Sequence, residues 1–179
     1  METIEHLVGM QAQNPQDPYF GLFARLDGFD ANELSHLIAE REAVRVPFLR
    51  GTIHLATSVD CLTLLPLMQS VRSRIFRSSQ FAKDTAGVDM RALLAAGRSL
   101  LEEGPRRAAD LGRLLSRQWP DRVPSSLAYA ITFLVPVVQV PPRGLWKRTG
   151  QPTWTSVESW LGRKLPKAQS PEDLVSRYL

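Results

Sequence analysis

The first apolar pattern along the chain is that of amphipathic helices. From Tyr19 to Leu26, apolar residues recur at i, i+3, i+4 and i+7, and this spacing predicts a helix with one inward face. Asp30 comes next, with an acidic residue three positions later, which is the spacing of a capping box. We therefore predict a second helix that begins after Asp30 and runs to about Arg41.

A β-hairpin is predicted immediately after these helices. Residues 44–49 alternate in the manner of a strand, and Pro47 restricts that strand to a sheet edge because proline has no amide hydrogen to donate. Residues 50–51 form a short turn, and residues 52–56 return as the second strand before another helix begins. Helices followed by a two-stranded hairpin indicate part of a winged helix.

The second half of the chain repeats this order more clearly. Amphipathic segments separated by Gly-Pro and Pro predict three helices, and a β-branched run and a Thr-Trp-Thr run predict two strands around a basic loop. These elements cover residues 90–103, 105–119, 125–134, 137–140 and 152–155, with the basic loop at 143–151. Three helices, a strand, a loop and a strand form a winged helix-turn-helix.

The predicted fold class is mainly α with small β-hairpins (α+β), in tandem winged helix-turn-helix units. Residues 1–78 are predicted to form a partial first unit, and residues 79–89, which are polar and contain glycine, to form a linker. Residues 90–162 form the second unit, and residues 163–179 form a tail that leads towards a further unit. A chain of 179 residues with 44% hydrophobic residues is long enough for one large domain or two small ones.

Composition also bears on the location of the protein. There is no apolar run of about 18 residues, and the amino terminus lacks the features of a signal peptide. The single cysteine, Cys61, excludes an internal disulfide, so we expect a cytoplasmic protein without a membrane segment.

The charge is unevenly distributed. Residues 1–40 carry a net charge of −6 and residues 41–179 a net charge of +10, and 18 of the 22 basic residues are arginine. Such asymmetry is compatible with a polyanionic partner, although a GC-rich genome that encodes arginine in place of lysine explains the arginine bias equally well.

Two basic hairpins are candidates for DNA contact. The first carries Arg45, Arg50 and His54, and a lone histidine in a strand is more often structural than a ligand. The second carries Arg143, Lys147 and Arg148 around Trp146, which either packs against a bound backbone or covers the core. By contrast, the helix at residues 125–134 has no side chain that reads base edges, which argues against sequence-specific readout through it.

Motifs for several other kinds of chemistry are missing from the sequence. The three histidines are scattered, and Cys61 has no cysteine partner, so no metal site is predicted. There is no phosphate-binding glycine loop and no nucleophile elbow.

Gln11 and Gln13 flank one small residue, and the prolines at 15 and 18 predict a backbone bend beside them. Neutral amides cannot serve as general acid or base, but they can hold a water, a base edge or a sugar. By composition alone, these glutamines are ordinary turn residues.

A set of landmarks nevertheless resembles, in order, the winged-helix DNA glycosylases of the AlkZ/YcaQ type. The landmarks are Gly9–Pro15, Pro18–Tyr19, Arg25–Leu26, Arg50–Leu55, Val135–Pro136, Gln139–Trp146 and Glu158–Gly162. The resemblance implies tandem winged helices that wrap duplex DNA, and excision of bulky or crosslinked N-alkylated purines without a metal or organic cofactor. It also implies that Gln11 and Gln13 are the catalytic pair, because the family motif of two glutamines around an apolar residue maps onto them.

The leading interpretation is therefore a monofunctional DNA glycosylase that is nucleoid-associated when bound to DNA. The first alternative is a non-catalytic winged-helix module that binds or regulates DNA. The second is a basic loop that serves as a protein–protein surface. Members of the family are considerably longer than this chain, so apolar faces left uncovered are expected to favour self-association.

Overall fold

A six-stranded antiparallel sheet joins the two halves of the chain in the computed structural model, which describes residues 1–167. Its strands are β1 (Met10–Gln11), β2 (Ala43–Pro47), β3 (Ile53–Thr57), β4 (Arg106–Arg107), β5 (Val137–Gln139) and β6 (Thr153–Ser156). They lie in the order β1-β3-β2-β5-β6-β4. The β2–β3 and β5–β6 hairpins are those expected from the alternating pattern, and the two short strands β1 and β4 were not predicted. Residues 168–179, most of the predicted tail, lie outside the described residues.

Strand β2 lies inside the sheet, so the prediction of an edge strand was wrong. It pairs with β3 on one side and, through Arg45 opposite Gln139, with β5 on the other. The ladder between β2 and β5 is limited to that one pair. Pro47, the last residue of β2, is therefore not required to donate a hydrogen bond towards β5, and its missing amide hydrogen is tolerated.

Helices account for most of the remaining described chain, and the predicted mainly helical α+β class is confirmed. They are α1 (Glu2–His6), α2 (Asp17–Phe23), α3 (Ala31–Ala39), α4 (Ser58–Arg77), α5 (Gln80–Asp84), α6 (Met90–Glu102), α7 (Ala108–Leu115), α8 (Pro124–Leu134) and α9 (Val157–Leu161). Asp30 caps α3 by accepting the amide hydrogen of Asn32 at 2.8 Å, and Thr57 caps α4 by accepting that of Asp60 at 3.0 Å. None of these helices is long and apolar enough to cross a membrane.

Helix α2 differs from its prediction at both ends. It begins at Asp17 and ends at Phe23, because the chain turns after Phe23 instead of continuing to Leu26. Tyr19 and Leu22 are buried as expected, whereas Phe23 is 71% exposed. Half of the predicted apolar stripe therefore faces outward.

Residues 79–89, the predicted linker, contain α5 and pack against α8. The rings of Phe81 and Tyr129 stack with centroids 3.8 Å apart, and Ser126 donates a hydrogen bond to Asp84 at 2.6 Å. Helix α5 also packs against α4, so this segment contacts helices from both halves of the chain. Strands from both halves share one sheet as well. The division into two winged-helix units stays a prediction.

Helix α8 is the central helix of the core. Its buried side chains include Leu127, Ile131 and Phe133, and it packs against α4, α5, α6 and α7. Close packing depends on Gly97 of α6, where a Cβ would collide with Ile131. Most of the helix is thus covered by protein, consistent with the absence of base-reading side chains along it.

Candidate active-site cavity and basic wing

An open cavity of about 650 Å³ lies between the sheet and α8. Ile53, Gln139 and Trp154 line it from the sheet, and Tyr129 and Phe133 line it from the carboxyl-terminal half of α8. We call this space the central cavity. Strands from both hairpins contribute to it, so it exists only because β2 and β5 pair.

Gln13 lines the central cavity, and the backbone fixes the orientation of its amide. The amide N–H of Ile53 donates to Gln13 Oε1 at 3.2 Å, and Ala12 N–H donates to the carbonyl oxygen of Ile53 at 2.8 Å. Because a backbone N–H can only donate, the oxygen and not the nitrogen of the Gln13 amide faces it. The second lone pair of Oε1 and the NH₂ group remain for other partners.

Gln11 lies in different surroundings. It pairs with His54 in the β1–β3 ladder, it is exposed as Gln13 is, and it does not line the central cavity. The backbone is extended through Gln11 and bends at Gln13 and Asn14, just before the proline at position 15. The structure therefore brings only Gln13 of the expected pair to the cavity.

Arg45 supports this motif from inside the protein. It is only 1% exposed, and its Nη2 donates to the carbonyl oxygen of Ala12 at 2.8 Å, between the two glutamines. Burial, with a smaller effect from Arg143, lowers the pKa of Arg45 to about 10, so it remains cationic at neutral pH. The structure thus places Arg45 away from any DNA-facing surface, where it holds the backbone of the motif.

The basic loop at residues 143–151, which we call the wing, closes on itself. Arg143 Nη1 donates to the carbonyl oxygen of Gly150 at 2.8 Å, whereas Lys147 and Arg148 are exposed. Gln151, the last residue of the wing, lines the central cavity. Two of its three expected cations are therefore exposed, and the Lys147 ammonium lies 5.7 Å from the centroid of the Trp146 ring.

A directed chain of hydrogen bonds fastens the wing to the amino-terminal helices. Trp146 N–H donates to Ser35 Oγ at 2.9 Å, Ser35 Oγ lies 2.9 Å from Tyr19 Oη, and Tyr19 Oη donates to the carbonyl oxygen of Gly144 at 2.8 Å. Because one end is a backbone donor and the other a backbone acceptor, Ser35 must donate to Tyr19. Burial raises the pKa of the Tyr19 hydroxyl, which keeps it protonated for this role.

Gln16 adds a second attachment for the wing. Its Nε2 donates to the carbonyl oxygen of Leu145 at 3.1 Å, and its Oε1 accepts from Lys147 N–H at 3.1 Å. The Trp146 ring packs on Tyr19, with centroids 5.0 Å apart. Of the two interpretations of Trp146, the structure supports packing against the protein.

The model of the family described as "DNA glycosylase AlkZ-like" matches residues 4–179. The chain belongs to the AlkZ-like family. The resemblance inferred from the ordered landmarks is thereby confirmed.

One solved structure of similar fold is that of Streptomyces sahachiroi DNA glycosylase AlkZ, with a TM-score of 0.72. The two chains are 18% identical, and the match covers 95% of this chain and 47% of that one. At this identity the similarity concerns the fold, and the chain spans about half the length of that relative. No curated protein matches the chain.

Within the AlkZ-like chain, two further expected DNA contacts have contrasting positions. Arg50 is exposed in a short 3-10 turn (Leu49–Gly51) and has a left-handed backbone with φ of 55°, directly beside Gly51 of the cavity lining. His54 is only 5% exposed, and its Nδ1 lies 3.1 Å from the carbonyl oxygen of Thr52. Arg50 is thus available to a ligand, whereas His54 belongs to the protein interior.

The buried His54 makes stability pH-dependent. Burial lowers its pKa below the ordinary value of 6.5, and nearby Arg50 lowers it further, against the opposing effect of the Thr52 carbonyl. Below about pH 6.5 the unfolded chain therefore binds a proton that the folded chain does not. We expect the free energy of unfolding to fall between pH 6.5 and 5.5, by at most about 1.4 kcal/mol, and this slope to be smaller in His54→Gln. Urea unfolding at each pH measures both slopes, and equal slopes would contradict the assignment.

The roles of several residues of the cavity and wing were not predicted from the sequence. Gln139 and Trp154 were assigned only to strands, although a single amide within the apolar run at 137–140 was an available signal. Gln16 and Ser35 carried no such signal, because their role depends on a loop more than 100 residues away. Among residues 1–167, no three histidine, cysteine or acidic side chains lie close enough together to hold a metal ion.

Proposed function

We propose that this protein is a monofunctional DNA glycosylase that hydrolyses the N-glycosidic bond of N-alkylated purines, bulky or crosslinked ones included, in double-stranded DNA. The observation that carries the proposal is the oriented amide of Gln13 at a cavity of about 650 Å³ in an AlkZ-like chain. A cavity of this size accommodates a purine nucleoside, and its apolar and aromatic lining suits a flat base.

The proposed chemistry needs no strong acid. A purine alkylated at N7 is already cationic, so it leaves as a neutral base when the bond between C1′ and N9 breaks and the electron pair goes to N9. Positive charge then develops on the deoxyribose, where the free lone pair of Gln13 Oε1 can stabilise it and align the attacking water. Water adds to C1′, and its proton passes to solvent because a neutral amide cannot retain it.

Gln11 has a supporting part in this proposal. It is exposed and outside the cavity lining, which supports a contact with the sugar–phosphate backbone of a bound duplex. The same position favours the alternative, a winged-helix module that binds DNA without excising a base, because only one of the two expected amides lines the cavity.

A duplex with a single N7-methylguanine separates these two functions. We expect incubation with the protein to release the free base, measured by chromatography, and to leave an alkali-labile abasic site. If the duplex is bound, as seen by footprinting, and no base is released over many hours, the non-catalytic alternative is correct.

The exposed cations around the cavity support a duplex as the partner. Arg107 lines the cavity, Arg50 adjoins it, and Lys147 and Arg148 lie on the wing that enters it. Cations on several sides of one opening match the spaced phosphates of a DNA backbone.

Removal of the wing charges is expected to weaken DNA binding and its salt dependence. In the double variant Lys147→Gln, Arg148→Gln, the slope of log affinity against log salt should decrease in magnitude by up to about 2, since each phosphate contact contributes about 0.9. Fluorescence anisotropy at several salt concentrations measures it. The matched control is Arg98→Gln, Arg117→Gln, whose sites are exposed and outside the cavity lining. An unchanged slope in the wing variant would instead favour the wing as a protein–protein surface.

A further inference from the structure

The side chain of Gln139 combines burial with an unpaired acceptor. It is 6% exposed, it lines the central cavity, and its Oε1 has no hydrogen-bond partner among the described residues. An amide oxygen that loses water without gaining a donor is unfavourable, so a donor that reaches this atom is stabilised by it.

The neighbouring side chains do not supply that partner. In the sheet, Gln139 lies opposite Arg45 on one side and Trp154 on the other. Arg45 Nη2 donates to the carbonyl oxygen of Ala12, which lies beyond β3 from β5, and Arg45 Nε and Nη1 are unpaired but make no hydrogen bond to Gln139. The Trp154 ring is 9% exposed and also lines the cavity. The open space beside Gln139 is thus the cavity, and Oε1 itself is enclosed at its wall. A half-turn of the terminal amide, which exchanges Oε1 and Nε2, presents the oxygen to a molecule bound in the cavity.

We propose that Gln139 Oε1 accepts a hydrogen bond from the exocyclic amino group of a purine bound in the central cavity, and that Gln139 is a specificity-determining residue. This inference rests on the proposed function and adds the base-recognition part of the same site. Purines carry such an amino donor on guanine N2 or adenine N6, and Trp154, Tyr129 and Phe133 provide aromatic surface for their rings. One bound nucleotide contacts the side-chain amides of both residues, with its sugar at Gln13 and its base edge at Gln139.

Free bases test this contact without requiring catalysis. Calorimetric titration of the full chain should show 7-methylguanine binding roughly three- to tenfold more tightly than 7-methylhypoxanthine, which lacks the 2-amino group. Gln139→Leu should lose this preference, and Gln139→Glu should keep it because a carboxyl group retains an acceptor oxygen. Gln118→Leu, at an exposed glutamine outside the central cavity, is the matched control and should behave as the parent chain. Thermal unfolding of each variant verifies that it is folded.

Titration with 3-methyladenine identifies which amino group is involved, guanine N2 or adenine N6. A preference for 3-methyladenine over 7-methylguanine that disappears in Gln139→Leu supports the inference and assigns the amino group at C6. Equal binding of 7-methylguanine and 7-methylhypoxanthine, without such a preference for 3-methyladenine, overturns the inference. So does absence of binding by all three bases, or a preference that survives in Gln139→Leu.

Failure of this inference and failure of the proposed function give different results. If the duplex assay releases 7-methylguanine but free bases are not discriminated, only the role of Gln139 is wrong. If free bases are discriminated through Gln139 but no base is released from the duplex, the base-binding role of Gln139 is supported and the catalytic proposal fails. An equal loss of rate in Gln139→Leu on duplexes containing 7-methylguanine and 7-methylhypoxanthine would place Gln139 at the attacking water and overturn base recognition.

Discussion

Replacing Gln13 with alanine is expected to slow the release of 7-methylguanine from duplex DNA by at least about 100-fold, with little change in DNA affinity. Removing one preorganised polar group that acts on developing charge has effects of this order. Gln13 is suited to that task because Ile53 N–H orients its amide at the cavity edge. Single-turnover kinetics with protein in excess measure the chemical step, and a filter-binding assay measures affinity.

Two other glutamines are the appropriate controls. Gln11→Ala should reduce the rate less than Gln13→Ala, because Gln11 is exposed outside the cavity lining, and Gln118→Ala should not reduce it. The hydrogen bond from Ile53 is also lost in Gln13→Ala, so thermal unfolding should be compared, and a loss of about 1 kcal/mol is expected. A Gln13→Ala variant with unimpaired base release would eliminate Gln13 as the catalytic amide.

The second large effect is expected from Gly144→Ala, which should destabilise the fold by about 3 kcal/mol. A Cβ at this position would lie 2.5 Å from Cδ of the buried Arg45, and the backbone φ of +104° is unfavourable for any residue with a side chain. Gly144 also provides the carbonyl oxygen that accepts from Tyr19. Any shift that relieves the collision therefore disturbs the attachment of the wing. Chemical denaturation of both proteins gives the difference in the free energy of unfolding.

Gly150→Ala separates backbone strain from packing. Gly150 lies at the other end of the wing with φ of +147°, but a Cβ there would meet no atom within 4 Å. Only conformational strain is introduced, and a loss of about 1 kcal/mol is expected. Equal losses in the two variants would show that the close approach of the wing to Arg45 contributes nothing to stability.

Local pattern accounts for most of the secondary structure. Helices α3, α6 and α8 and both hairpins begin and end close to the predicted residues, because their signals involve neighbours within one or two turns. Helix α7 is about half as long as predicted, because β4 takes up residues 106–107 and the helix ends at Leu115. The short elements α1, α5, α9, β1 and β4 were missed. Each has five residues or fewer, too few for a periodic pattern, and each is held by packing or pairing with distant segments.

The candidate site was predictable only in part. The glutamine motif and the exposed cations Arg50, Lys147 and Arg148 could be named from the sequence, because side-chain chemistry and local loops suffice for that. The interior position of Arg45 and His54 could not, since alternation along a strand tells which residues share a face but not whether that face is covered. Here both faces of the sheet are covered, by two separate groups of apolar side chains.

By itself, the sequence determined the family, the helices and hairpins, and the presence of two amides near the amino terminus. Only the tertiary structure decided that β2 pairs with β5, that Gln13 and not Gln11 lines the central cavity, and that Gln139 joins it there. The physical reason is that burial, hydrogen-bond direction and cavity shape depend on residues far apart in the chain. The segment around Gln13 is held by Arg45 on β2, Arg45 lies beneath Gly144 of the wing, and the wing is fastened by Tyr19.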